Sequence, residues 1–167
     1  DQPGGGGNGA DTQGTSGDDT YSATVEANGG GTLQSSDNIA AGTGTDTLNV
    51  RVISTTTGGQ LISPAGSELE KVVVTNQTAN GVFILDLNSV TGVTAKDNAA
   101  SALTGFGNLD IGTMIRAENV DGMLGVNFKG DRSASSNDSF DLFIQDSGTE
   151  DNSMAFLTTD AQVSSID

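Results

Sequence analysis

The feature that most constrains this chain is a nine-residue frame that starts at Gly14. Cut from there, the sequence reads GTSGDDTYS, ATVEANGGG, TLQSSDNIA and AGTGTDTLN. The sixth position of the four blocks holds Asp19, Asn28, Asp37 and Asp46, each a compact oxygen donor. The eighth holds Tyr21, Gly30, Ile39 and Leu48, apolar in three of the four. The first and last blocks fit the pattern Gly-Gly-x-Gly-x-Asp-x-apolar-x with one departure each, Thr15 and Ala41. Such a frame places a turn and then a short strand with a buried residue at a fixed spacing, which suits stacked β coils.

After Leu48 the pattern becomes alternation. TLNVRVI puts Leu48, Val50 and Val52 on one face and Asn49 and Arg51 on the other, as a half-buried strand requires. Similar runs follow as KVVVT at 71–75, VFILDL at 82–87, LDIGTMI at 109–115, MLGVNFK at 123–129, FDLFIQ at 140–145 and MAFLT at 154–158. Turn-rich pieces such as TNQTANG separate them. The gaps are uneven, so both an irregular solenoid and a β-sandwich satisfy the pattern. SELEKV at 67–72 has the spacing of a helix capping box, Ser67 to Glu70, but the β-branched run behind it opposes a long helix.

Composition narrows the chemistry. The 167 residues carry 22 acids against 6 basic residues, a formal charge of −16. Nucleic acid and anionic membrane surfaces are therefore excluded as expected partners. Most of the acids are Asp, which with Asn, Ser and Gly favours turns and oxygen sites for hard cations over helix. With 34% hydrophobic residues, no Trp and one Tyr, the core is expected to be thin and to need ions for support. No apolar run is long enough to span a bilayer, so no membrane insertion is expected. No signal peptide is visible, which suits a mature product, a fragment or leaderless export.

Two readings of the frame stand side by side. In the first, the turn glycines Gly17, Gly42 and Gly44 permit left-handed backbone, turn carbonyls point inward, and Asp19, Asn28, Asp37 and Asp46 complete cages for Ca2+. Calcium takes six to eight oxygens at about 2.3–2.6 Å, so two turns must share each ion. In a β-roll a turn stacks on the turn two blocks further on, which pairs Asp19 with Asp37 and Asn28 with Asp46. In the second reading the acids close Asx-turns on their own backbone and hold no ion. SASSNDSFD at 133–141 is a poorer candidate metal turn, because serines replace the glycines.

No catalytic constellation is present. Without Cys or His, the common triads and zinc sites are excluded, and an enzyme is not expected. Paired carboxylates alone would admit glycan hydrolysis, but the scarcity of aromatic and basic residues opposes it.

GTSGDDTYSA and LQSSDNIAAGTGTDTLNV resemble the repeats-in-toxin (RTX) calcium motif in the form found in bacterial surface-layer and related secreted proteins. ELEKVVVTNQTANGVFILDLNSVTGVTAKDN is similar to the strand rows of those proteins. The resemblance implies extracellular or cell-surface location, export by a type I route, calcium-dependent folding outside the cell, and a place in a surface layer, filament or adhesin. It departs from the tandem form in having two good and two degenerate copies.

The sequence thus predicts an all-β chain, with calcium-stabilised, β-roll-like N-terminal turns leading into an irregular β-solenoid or β-sandwich. It divides as a flexible Gly-rich linker (1–13), an RTX-like calcium-binding segment (14–50) and a β-rich structural module (51–167). The expected role is a structural, calcium-binding subunit that self-assembles into a homo-oligomeric lattice or filament through exposed strand edges. The alternative is a calcium-dependent adhesin or carbohydrate-binding module that holds a cell-surface glycan.

Overall fold

Each short strand carries a single apolar row, and the chain buries those rows by winding into a parallel β-solenoid of about 5 turns. The computed structural model describes residues 11–129, 140–148 and 155–159. In chain order the strands are β1 (Asp11–Gln13), β2 (Thr20–Val25), β3 (Asn38–Ala40), β4 (Thr47–Val52), β5 (Gln60–Ile62), β6 (Ala65–Ser67), β7 (Lys71–Asn76), β8 (Val82–Asp86), β9 (Gly92–Lys96), β10 (Leu103–Leu109), β11 (Met114–Glu118), β12 (Met123–Phe128), β13 (Leu142–Gln145) and β14 (Ala155–Thr159).

They form three walls. The long wall stacks β2, β4, β7, β9, β11 and β13; the second stacks β5, β8, β10, β12 and β14; the third, β1, β3 and β6, closes the N-terminal coils. Neighbours in every wall run parallel, which rules out a sandwich of antiparallel hairpins.

Parallel sheets covered on both faces read as continuous apolar runs. Here only the inner face is covered, so the strands alternate and the inward residues stack in rows. Tyr21, Leu48, Val72, Val93, Ile115 and Leu142 are aligned across the long wall, and Ala23, Val50, Val74, Ala95, Ala117 and Ile144 form the next row. Leu85, Phe106 and Val126 stack likewise across the second wall.

The register corrects the expected stacking distance. Thr20 lies beside Thr47, Thr47 beside Lys71, Lys71 beside Gly92 and Gly92 beside Met114. The first coil, from Thr20 to Thr47, therefore holds three nine-residue blocks rather than the two of a β-roll; the next three coils are shorter, and the step from Ile115 to Leu142 matches the first again. The physical reason is the third wall, together with the second block, whose eighth position is Gly30 rather than an apolar residue.

That block supplies the end of β2 and the 3-10 turn Ala27–Gly29, then folds back over the free edge of β2. The Thr24 amide donates to the Thr32 hydroxyl (2.9 Å), and the Leu33 amide donates to the Thr24 carbonyl (2.9 Å). Leu33 is buried at this end. An edge expected to be open for pairing is thus partly blunted. At the far end Ile144 lies in line with the buried Ala117, yet it and Phe143 are 42% and 45% exposed.

Three further differences are local. LDIGTMI is not one strand, because a turn at Asp110–Thr113, with Gly112 at φ +92°, separates β10 from β11. SELEKV forms no helix, because Ser67 ends β6 and Glu68 takes φ +64°. Asp11–Gln13, at the end of the expected linker, pairs with β3. Of SASSNDSFD, only Phe140 and Asp141 fall within the described residues.

Candidate functional site

Asp19 precedes the buried Tyr21 by two residues, and Asp46 precedes the buried Leu48 by two. Each carboxylate therefore shares the inward phase of its strand and sits at the corner where the chain enters the long wall. The first coil stacks these two corners directly. The Asp19 amide donates to Asp46 Oδ1 at 2.7 Å, and the Thr45 amide donates to Asp18 Oδ1 at 2.8 Å. The Thr43 amide and hydroxyl donate to the carbonyls of Thr15 (3.2 Å) and Ser16 (3.4 Å).

The close approach needs glycine. Gly42 and Gly44 adopt φ +98° and +139°, and a Cβ on Gly44 would stand 2.7 Å from the Gly17 carbonyl carbon. Gly17 itself has an ordinary φ and open space beside it. Gly44→Ala is therefore expected to cost about 1–3 kcal/mol in urea unfolding, and Gly17→Ala less than about 0.5 kcal/mol.

Of the seven predicted site residues, Gly17, Asp19, Gly42, Gly44 and Asp46 converge here, and two do not. Asn28 is an exposed residue at φ +61° in the turn over the β2 edge, so the expected contact with Asp46 does not form. Asp37 is buried at a different corner, where its Oδ2 accepts the Gln34 amide at 2.8 Å. The expected pairing of Asp19 with Asp37 is accordingly replaced by Asp19 with Asp46.

The column of corner side chains runs further than the nine-residue frame. The Asp46 amide donates to Glu70 Oε2 at 2.7 Å, the Thr91 hydroxyl donates to the Glu70 carbonyl at 3.1 Å, and the buried Thr113 hydroxyl donates to the Val90 carbonyl at 3.1 Å. Glu70, Thr91 and Thr113 each stand two residues before an inward residue, Val72, Val93 and Ile115. That offset, the same as in Asp-x-Leu, is the sequence signal that would have found them.

Electrostatics at this corner is unbalanced. Asp18, Asp19, Asp46 and Glu70 gather over three coils. The ion pairs among the described residues are Lys96–Glu118, Arg116–Glu118 and Lys129–Asp110, so none neutralises the corner. Asp46 is 0% exposed, and its Oδ2 has no hydrogen-bond partner among the described residues. A buried carboxylate oxygen left unsatisfied is costly.

As a test of fit to a hard cation, that oxygen is the right donor. Asp19 spends Oδ2 on the Thr15 amide (2.6 Å) and hydroxyl (2.9 Å). Among the described residues no three acids converge on one point, so side chains alone do not build a calcium cage.

These Thr15 bonds, the amide first and the hydroxyl second, hold the Asp19 carboxyl below the usual carboxylate range. A depressed folded value means stability that is present above the unfolded value and lost as pH falls through the folded one. Asp19→Asn is thus expected to lower stability at neutral pH, with the difference from the unmodified chain shrinking in acid unfolding as pH falls through the depressed folded value. Burial, and then the charges of Asp19 and Asp46, pushes the Tyr21 hydroxyl up.

Comparison of the chain with protein-family models, curated proteins and solved structures returns no match.

Proposed function

We propose that this chain is a structural module of a bacterial extracellular assembly, a surface layer or fibre, whose folding and association are driven by calcium outside the cell. The observation that carries this reading is the N-terminal corner, where the carboxylates of Asp18, Asp19, Asp46 and Glu70 form no ion pair among the described residues and the buried Asp46 keeps one oxygen without a hydrogen-bond partner among them. Asp46 Oδ2 is the protein oxygen that would bind the ion, with Asp18, Asp19 and Glu70 supplying the negative field. A bound divalent ion would satisfy that oxygen and reduce the self-repulsion of a chain with charge −16.

The association face is the last described strand of the long wall, where Ile144 occupies an inner-row position that no described residue covers as the other coils are covered. A further β coil or a second copy would cover it. The role is architectural rather than catalytic, in keeping with a chain that has neither Cys nor His.

The experiment is sedimentation velocity and circular dichroism on chelator-treated protein as calcium is added. A rising sedimentation coefficient and a higher melting temperature are expected, with magnesium much less effective. Unchanged size and unchanged melting at millimolar calcium would refute the reading.

A further inference from the structure

The outer face of the long wall differs from the rest of this acidic molecule. On the first three strands the outward positions are Thr20, Ser22 and Thr24, then Thr47, Asn49 and Arg51, then Lys71, Val73 and Thr75. None is acidic and two are cations, in a chain with 22 acids. The other described cations that face solvent, Lys96, Arg116 and Lys129, are each paired with a carboxylate. Arg51 and Lys71 form no ion pair among the described residues.

Register places Arg51 between two hydroxyls, with Thr24 beside it on β2 and Thr75 on β7. Asn49 lies between Ser22 and Val73 in the adjacent row. Strands lie about 4.8 Å apart and alternate residues about 6.6 Å apart, so these two rows cover roughly 10 by 7 Å. The area is a cleft of about 320 Å³ whose side wall is Thr32. The wall is preformed, because Thr24 and Thr32 bond each other reciprocally through amide and hydroxyl at 2.9 and 3.2 Å.

We propose that this face binds an acidic sugar. The carboxylate or sulfate sits on the Arg51 guanidinium, whose planar fork donates to two oxygens at once. The ring lies over Val73, and its hydroxyls meet Ser22, Thr32, Asn49 and Thr75. Lys71 lies four residues from Thr75 along the same strand, placed to meet the next acidic group of an oligosaccharide. The long-range field of a −16 chain repels free anions, so recognition depends on this short-range array rather than on net attraction. No metal ion takes part, and the proposal stands or falls separately from the calcium reading.

The test is calorimetric and amide-shift titration, run in chelator and repeated in calcium, using oligogalacturonate, a neutral malto-oligosaccharide of equal length, and acetate, and read in the buffer in which circular dichroism shows the unmodified chain folded. Saturable binding of oligogalacturonate is expected, with shifts centred on β2, β4 and β7. Arg51→Gln should weaken it at least about tenfold, Arg51→Lys by less, and Lys96→Gln not at all. Each variant's circular dichroism checks that it is folded. Absent binding, equal binding of the neutral sugar, equal affinity for acetate, or full retention by Arg51→Gln would overturn the proposal. So would shifts that appear on raising protein concentration alone, since these would assign the face to a second copy's acidic corner.

Discussion

Asn76→Leu is expected to shift the urea midpoint downward by the equivalent of about 3–5 kcal/mol, the largest loss from any single polar substitution among the described residues. Asn76 is fully buried at the end of β7, where the long wall turns toward the second wall. Its Oδ1 accepts the Thr78 hydroxyl at 2.6 Å and the Thr78 amide at 3.3 Å, and its Nδ2 donates to the Leu103 carbonyl at 3.0 Å. Its own amide donates at 3.1 Å to Oδ1 of the buried Asn98, whose Nδ2 donates to the Thr104 hydroxyl at 2.8 Å. Leucine is close to asparagine in size and shape at the branch point, so the loss comes from stranded donors and acceptors, each costing about 1–3 kcal/mol when buried. Thr78→Val removes one of those donors, so the double variant should lose less than the two singles added together. Hydrogen exchange should show the coils on either side of β7 loosening first, because each coil is supported only by its neighbours.

The two halves of the fold were legible to different degrees. Strands such as Lys71–Asn76, Val82–Asp86 and Met123–Phe128 announce themselves, because a wall covered on one face demands alternation. The choice of solenoid over sandwich did not, since alternation records only that one face is buried and says nothing of which strand lies alongside. Corners were hardest. Asp97, Asn119 and Asp146 take φ of +49°, +52° and +49° at equivalent points of successive coils, and Asn119 Nδ2 donates to Asp97 Oδ1 at 2.9 Å. Asp and Asn tolerate that conformation better than other non-glycine residues, but the unequal spacing of these three loses the pattern among ordinary turn residues.

The candidate site shows the same division. The nine-residue frame identified the acids at the N-terminal corner, because Asp-x-apolar ties a turn to a buried strand position. It misplaced their partners, because stacking distance is a property of the whole coil. Three walls stretch the first coil to three blocks, and that alone moves Asp37 and Asn28 away from the corner and brings Asp46 to Asp19. Glu70 escaped because the step from Asp46 to Glu70 is not a multiple of nine.

Asp46→Asn should change sign with calcium, and that inversion separates the two readings of the corner. The side-chain oxygen that accepts the Asp19 amide survives the change, while the unpartnered Oδ2 is replaced by a neutral amide group. In chelator the variant is expected to be more stable than the unmodified chain by about 1–3 kcal/mol, because an uncompensated buried charge is removed from an acidic corner. Calcium at about 100 times its dissociation constant stabilises a binding-competent native state by about 2.7 kcal/mol. The unmodified chain should gain that amount and the variant little of it, so the order of melting temperatures reverses. Thermal melts of both proteins, with chelator and with calcium, measure the four quantities. If Asp46→Asn is the more stable in both buffers, the corner is a ladder of side chains capping backbone amides and the calcium reading fails. If the order inverts, the oxygen left unsatisfied by the protein is the one the ion takes.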